Sequence, residues 1–427
     1  MPGPVARRRA PEPRERRVAP ATPIVPLEIE EARRLILERT SPLAVESMEL
    51  RASLGRTLAE DVISPEDVPD FDSSAMDGFA VRAADTRGAG RDSPATLRIV
   101  GESRAGHPAK TRVEAGEAVE ISTGAAIPAG ADAVVRVEET TSERGIVQIL
   151  SEAEVHTDIR YAGEDIVSGE TVLEIGTRLG PAELGVLASA ARPAVTCYSR
   201  PTVAVLTTGD ELIEPSQPMR PGAIRNSNAY SIPALAERAG ADVTGVAIVP
   251  DDPGETRAAI AQALGSDVTV ICGGVSVGAH DHVKQALADL GVEQVFWRVA
   301  LKPGKPTWFG IHEGGLVFGL PGNPVSAMVT FILLVRPALQ VMSGRRPKRD
   351  RTTAILDRDY EKRPGRAHAV RCRLELREDG WHAVPAERHG SHILTSMLGA
   401  EALAIVPTAS GDVRAGERVE IELLSDG

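Results

Sequence analysis

Between residues 201 and 345, short runs of continuous apolar residues alternate with stretches of helical spacing. The runs at 202–207, 243–249, 267–272 and 316–320 are apolar at nearly every position, as parallel strands buried on both faces are. The stretches 229–239, 254–264, 282–290 and 325–341 space their apolar residues as helices do. This alternation predicts a central open parallel α/β sheet with ligands at the strand carboxyl ends. Upstream, 26–56 shows helical spacing, with Ile29, Ala32, Leu35 and Ile36 on one face and Glu30 and Glu31 opposite. From 61 to 157 the texture changes to short alternating runs among glycines and prolines, such as 97–100, 118–121 and 133–137. Residues 163–191 return to short strands and one helix at 182–190, so the β-rich stretch reads as an insertion. After 351 the strand pattern resumes at 369–376 and 419–423.

The expected organisation is a tail (1–25), a mixed α/β domain made of 26–62 and 163–200, and an inserted β-rich domain (63–162). An α/β domain (201–347) and a C-terminal β domain (348–427) follow. At about 150 residues per domain, 427 residues accommodate such a division.

Charge changes the picture at the N-terminus. The net charge is −12, yet residues 1–20 set six arginines against Glu12 and Glu15, a local +4 that leaves −16 beyond them. Nothing apolar there could fold, so this basic segment reads as a disordered extension rather than a nucleic-acid arm. Aromatic residues make up 3% of the chain, too few for base-stacking platforms. Cys197, Cys272 and Cys372 lie too far apart for a disulfide framework or a metal knuckle, which suits a reducing cytoplasm. No apolar secretory core is present near the start, and the apolar run 325–335 is short of the roughly 20 residues a bilayer demands. A cytoplasmic protein without a membrane or nucleic-acid partner is expected.

The candidate chemistry gathers where the predicted strands end. The first finishes in Thr207-Thr-Gly-Asp-Glu211, the second in Pro250-Asp-Asp252, and the fourth in Gly319-Leu-Pro-Gly-Asn-Pro324. The third runs into Gly273-Gly-Val-Ser-Val-Gly-Ala-His-Asp281. That run reads either as a phosphate cradle beside a carboxylate or as a glycine-rich strand-to-helix turn. Asp252, just before Pro253, reads as a helix cap. The segment Arg298-Val-Ala-Leu-Lys-Pro-Gly-Lys-Pro306 adds three cations stiffened by prolines, suited to an oxyanion. Two segments of the insertion, 70–80 and 122–132, carry carboxylates and hydroxyls around tight turns, and by composition they are turn chemistry.

Taken together and in order, the motifs at 69–80, 123–138, 163–166, 208–212, 224–228, 273–281, 302–306 and 320–326 resemble the MoeA family of molybdopterin molybdenumtransferases, which includes the gephyrin E domain. The resemblance covers roughly 26–427. It implies a four-domain subunit with a molybdopterin-binding α/β domain, an inserted β-rich domain and a C-terminal barrel-like domain. It also implies a homodimer whose active cleft joins the α/β domain of one subunit to the insertion of the other. The implied reaction takes adenylylated molybdopterin and molybdate, with Mg2+ as cofactor, and releases molybdenum cofactor and AMP. A molybdopterin adenylyltransferase is an implied partner.

Residue by residue, the resemblance gives functional roles to Asp77, Thr123, Asp165, Glu211, Asp251 (with Asp252 the alternative match at that acidic pair), Asp281, Lys302 and Lys305. Pro321 and Pro324 shape the site, and Ser391 and Ser396 belong to a serine-rich turn. Gly273, Gly274, Ser276 and Gly278 would hold the pyrophosphate through backbone N–H groups, with Arg298 beside them where many relatives have lysine. Asp251, Asp281 or Glu211 would anchor the metal. An adenylyltransferase for molybdopterin is the rival reading, because it shares the α/β domain and its Gly-Gly loop. The matching motifs outside 201–345 count against it.

Overall fold

The computed structural model describes residues 25–275, 282–345 and 351–425. Its central sheet has six strands: β1 (Thr202–Thr208), β2 (Asp242–Val249), β3 (Val268–Cys272), β4 (Glu293–Trp297), β5 (Trp308–His312) and β6 (Gly315–Leu320). Their order is β2-β1-β3-β6-β5-β4. The apolar runs of β1, β3 and β6 are continuous because both faces of these strands are covered, whereas β2 lies at the sheet edge and is mostly exposed, which corrects the expected two-sided burial of 243–249. Val203, Val205, Val268, Val270, Leu316 and Phe318 face one core, shared with helices Ile29–Leu37 and Asn228–Arg238. Ala204, Leu206, Ile271 and Val317 face a second core under helices Pro253–Ala263 and Val283–Asp289.

The first four strands in that order are parallel, whereas β5 is antiparallel to both β6 and β4. The expectation of a wholly parallel sheet is corrected at this edge. The link 298–307 is too short for a parallel crossover, which takes about a dozen residues or more. The first core also holds Pro324–Thr330, a π-helical turn at Phe331–Val335, and Arg336–Met342. Pro337 lacks the N–H that would reach back to residue 333, and the widened turn absorbs that loss. By length and hydropathy the continuous helix Pro324–Met342 could cross a membrane, but 89% of its most apolar window is buried inside the fold.

The helical spacing of 26–56 yields an α-helix at Ile29–Leu37 and a single 3-10 turn at Leu50–Ser53. Thr40, Ser41 and Pro42 break the α-helix, and Val45–Glu49 forms a strand instead, antiparallel to Ala194–Tyr198. Val62–Ile63 pairs with Thr171–Leu173. Between these crossings lies a separate six-stranded sheet drawn from 78–149, with its own apolar cluster around Phe79, Val81, Val135 and Ile149. At the C-terminus, Arg351–Leu356, Ala367–Arg377, Gly380–Pro385, Ala402–Val406 and Arg418–Leu423 pair in a closed ring of five, a small barrel.

Candidate functional site

The chain leaves β1 toward β2 on one side and returns through β3 on the other, with the following helices on opposite faces. The carboxyl ends of β1 and β3 therefore flank the point where strand order reverses, the usual ligand position in such sheets. The backbones at this point are very close. A Cβ at Gly273 (φ +102°) would lie 2.7 Å from Thr208 Oγ1, and one at Gly274 (φ +62°) 2.4 Å from Val283 Cγ2. A Cβ on Gly322 would be 3.7 Å from Gly273 Cα, so the 320–324 turn closes the third side. Asn228, at the start of its helix, donates from Nδ2 to the Gly322 carbonyl at 2.8 Å. Pro321 is buried beneath, and Pro324 opens the helix at a position where an N–H is dispensable.

One expectation needs correcting. The Gly273 N–H already donates to Leu320 O at 3.0 Å and does not face a ligand. Gly274 has no acceptor for its N–H among the described residues, so any anion cradle starts there. Ser276, Gly278 and Asp281 lie outside the described residues.

The strand-end carboxylates divide by role. Asp252 accepts from Glu255 N at 2.9 Å and caps helix Pro253–Ala263. Asp210 accepts from Asp251 N at 3.1 Å and joins the ends of β1 and β2. The side chains of Asp251 and Glu211 stay exposed, with Glu211 folded back over Gly209. Among the described residues no three His, Cys, Asp or Glu side chains form a metal cage. Two exposed carboxylates still fit the mode of Mg2+, which takes one or two of them together with substrate phosphates and water.

The lysine loop is held by the barrel. Leu301–Lys302 pairs in parallel with Ala367–His368, and the Lys302–Pro303 peptide is cis. Gly304 is pressed so closely against Thr330 and Leu301 that a Cβ would meet Thr330 Cγ2 at 2.5 Å. Lys302 and Lys305 remain exposed on this loop.

Beside Lys302 opens a cleft of about 610 Å³ that Arg363, Arg366 and the largely buried Lys362 and His368 also line. Burial first, then Lys302, Lys362 and Arg366, pushes the His368 imidazole down to about 4. The ring is thus neutral near pH 7, and its Nδ1 lies 3.0 Å from the Tyr360 hydroxyl. Arg371, buried in the barrel wall, donates through Nε to Ser396 Oγ at 3.2 Å. Ser391 Oγ accepts from Asn323 Nδ2 at 3.4 Å, which links the serine-rich turn to the rim. Sequence reasoning missed Lys362, Arg366, His368 and Arg371. Only barrel closure brings Lys362, Arg366 and His368 to Lys302 and Arg371 to Ser396, and no local motif encodes that.

In the inserted sheet, Asp77 accepts from both the backbone N–H (2.7 Å) and the hydroxyl (2.9 Å) of Thr123. These two bonds, the backbone one first, hold its carboxyl below the usual aspartate value. Gly78 follows because the Val135 carbonyl lies where a Cβ would be, at 2.0 Å. Phe71 and Met76 stand exposed on the same turn. Asp165 is exposed at the neck of the insertion, where its N–H donates to Val68 O. All three cysteines are buried, and burial pushes the Cys272 and Cys372 thiols up to about 12, which leaves no thiolate nucleophile.

Comparison with known proteins agrees with this arrangement along most of the chain. Residues 27–191 match a family model described as the MoeA N-terminal region (domain I and II). Residues 204–341 match the "Probable molybdopterin binding domain", and 353–424 match the MoeA C-terminal region (domain IV). A molybdopterin molybdenumtransferase of Haemophilus influenzae is 38% identical over 402 residues, covering 93% of this chain and 98% of that one. The chain belongs to the MoeA family. The molybdopterin molybdenumtransferase of Bacillus subtilis is 34% identical over 407 residues, covering 94% of this chain and 95% of its own length. The crystal structure of a MoeA molybdopterin biosynthesis protein from Pyrococcus horikosii superposes with a TM-score of 0.80 at 33% identity, over 95% of this chain and 100% of that one. The chain is accordingly a transferase of molybdenum cofactor biosynthesis.

Proposed function

We propose that this MoeA-family chain inserts molybdate into adenylylated molybdopterin and releases AMP, with Mg2+ bound during the reaction. The observation that supports this most is the meeting of three glycine-bearing turns at the strand reversal, in a chain that also holds an exposed lysine loop against a separate barrel. A nucleotide phosphoanhydride and an oxyanion need these two features. When the anhydride is cleaved, an oxygen of water or molybdate forms a new P–O bond as the bridging P–O bond breaks, and charge is left on the departing AMP phosphate. Lys302 and Lys305 offset that charge, and fixed cations act best where they need no reorganisation. The Gly274 N–H orients the phosphates. Asp251 and Glu211, with Asp281, would hold Mg2+, which supplies charge neutralisation between these carboxylates and the substrate phosphates.

The Asp77–Thr123 turn bonds within its own sheet and exposes Phe71 and Met76 beside the carboxylate. That supports a homodimer in which this turn completes the cleft of the partner subunit.

The test supplies adenylylated molybdopterin, molybdate and Mg2+ and follows AMP and active cofactor. Pyrophosphate release from ATP and molybdopterin would replace this reading with adenylyl transfer. Unchanged turnover after chelation removes Mg2+ from it. Mixing inactive Asp77→Ala and Lys305→Met proteins should restore about a quarter of wild-type activity if clefts are shared between subunits, because half the dimers then carry one intact cleft. No recovery argues for self-contained subunits.

A further inference from the structure

Trp297 ends strand β4 and is unusually well tied for an edge residue. Its indole N–H donates to the Val275 carbonyl at 3.0 Å, just past the Gly273–Gly274 turn. Lys284 Nζ lies 3.7 Å from the ring centroid, and the Arg298 guanidinium carbon lies 4.0 Å from it. Two groups of that size cannot share one face at those distances, so they sandwich the ring. Neither cation arrives by chance. Lys284 follows Val283, whose side chain packs against Gly274. Arg298 sits at φ +79°, a left-handed conformation that a non-glycine residue adopts at a cost. Hydrogen bonds on both sides hold it there: its N–H donates to Thr307 O at 2.8 Å, and its carbonyl accepts from Leu27 N at 3.1 Å. A strained backbone thus aims a guanidinium at a ring that already carries an ammonium, beside a glycine turn.

The structure assigns Lys284, Trp297 and Arg298 as a two-cation clamp for the diphosphate bridge of the substrate. The indole N–H fixes the turn and the two faces of the ring fix the charges. A diphosphate lying along the ring edge meets both cations at once, which a single phosphate does less well. This clamp deepens the molybdate-insertion reading and rests on it for the identity of the substrate. Lys284 and Arg298 contact the diphosphate, Trp297 acts as the positioning residue, and Arg298 is shared with the candidate site.

The test measures binding of inorganic pyrophosphate to the full-length protein by calorimetry at low and moderate salt. Lys284→Met and Arg298→Met should each weaken binding about tenfold, and the double variant about a hundredfold, as the loss of charge-assisted bonds implies. Both should flatten the salt dependence. Arg298→Lys should recover part of the affinity, which a packing defect would not allow. Trp297→Phe keeps the ring faces and removes the N–H; it should weaken binding several-fold with the salt dependence intact. In turnover, KM for the adenylylated substrate should rise while kcat stays within about twofold.

Failure of wild type to bind pyrophosphate overturns the clamp, and so does a double variant that binds within twofold of wild type. If any Met variant is unfolded by circular dichroism, the Arg298→Lys and Trp297→Phe comparison decides. Clamp-dependent binding in a protein that releases no AMP would sink the molybdate-insertion reading alone. AMP release with binding indifferent to these substitutions would sink the clamp alone.

Discussion

Gly273→Ala isolates the backbone geometry on which the candidate site rests. At φ +102° an L-residue is strained, with about 1–2 kcal/mol a fair minimum for left-handed backbone. The new methyl would also lie 2.7 Å from Thr208 Oγ1 and 3.0 Å from Thr208 O, and overpacking of that kind costs about 1–3 kcal/mol. Alanine restricts the unfolded chain and returns roughly 0.4–1 kcal/mol. The net expectation is about 2–4 kcal/mol of destabilisation. Equilibrium unfolding in guanidinium, read by the fluorescence of Trp297 and Trp308, measures it in this domain. Thr208→Ala removes the nearer contact but not the φ strain, so the double variant should recover only the steric share, about 1 kcal/mol. Gly185→Ala serves as a control: it lies inside helix Pro181–Ser189 with nothing within 4 Å of the added methyl, and should stabilise by about 0.5–1 kcal/mol. A Gly273→Ala protein as stable as wild type with normal AMP release would refute the close-approach argument.

Two further outcomes are expected. Glu422 is 1% exposed and accepts from Arg336 at 2.7 Å and from Arg33 at 3.4 Å, which joins the barrel to two helices. Glu422→Gln should cost about 3–5 kcal/mol because two buried cations lose their carboxylate; a loss under 1 kcal/mol by chemical denaturation would contradict this. His368 is depressed to about 4, so between pH 6.5 and 4 the unfolded chain takes up a proton that the folded one refuses. Its contribution to stability is complete above about pH 6.5 and is lost as pH falls toward 4. His368→Asn should flatten that part of the stability profile, and a nitrogen-NMR titration of His368 near 6.5 would count against it.

The central sheet was readable because its inner strands need no partner to reveal them. Thr202–Thr208 and Gly315–Leu320 are buried on both faces, and continuous apolarity records that locally. Val45–Glu49 was not readable. It is mostly exposed, its sequence alternates with charge, and its pairing partner begins at Ala194. The antiparallel edge was hidden for a related reason, since strand direction depends on link length rather than on the pattern of β4 or β5. At the site, the glycine turns and the lysine loop were legible because tight turns and cations at strand ends are local signals. The bond from Gly273 N–H to Leu320 O was not, because it depends on a strand that follows much later in sequence. The cluster of His368, Lys362 and Arg366 about Lys302 escaped for the same reason, as did the Arg371–Ser396 pair deeper in the barrel.

The neck of the inserted sheet has a consequence for the history of this architecture. The outgoing and returning chains touch where Ile63 pairs with Thr171 and Val68 bridges Ile166. Paired residues in an antiparallel ladder have Cα atoms only about 5 Å apart. A segment whose two ends already meet can be added to a host, or removed from it, with almost no loop-closure entropy at stake. Residues 69–165 therefore behave as a cassette. Excising them and bridging the neck with a short turn should leave the remainder able to fold, and should give a protein that keeps its glycine turns and lysine loop while lacking the Asp77 turn. A lineage gains or loses this piece with no redesign of the central sheet.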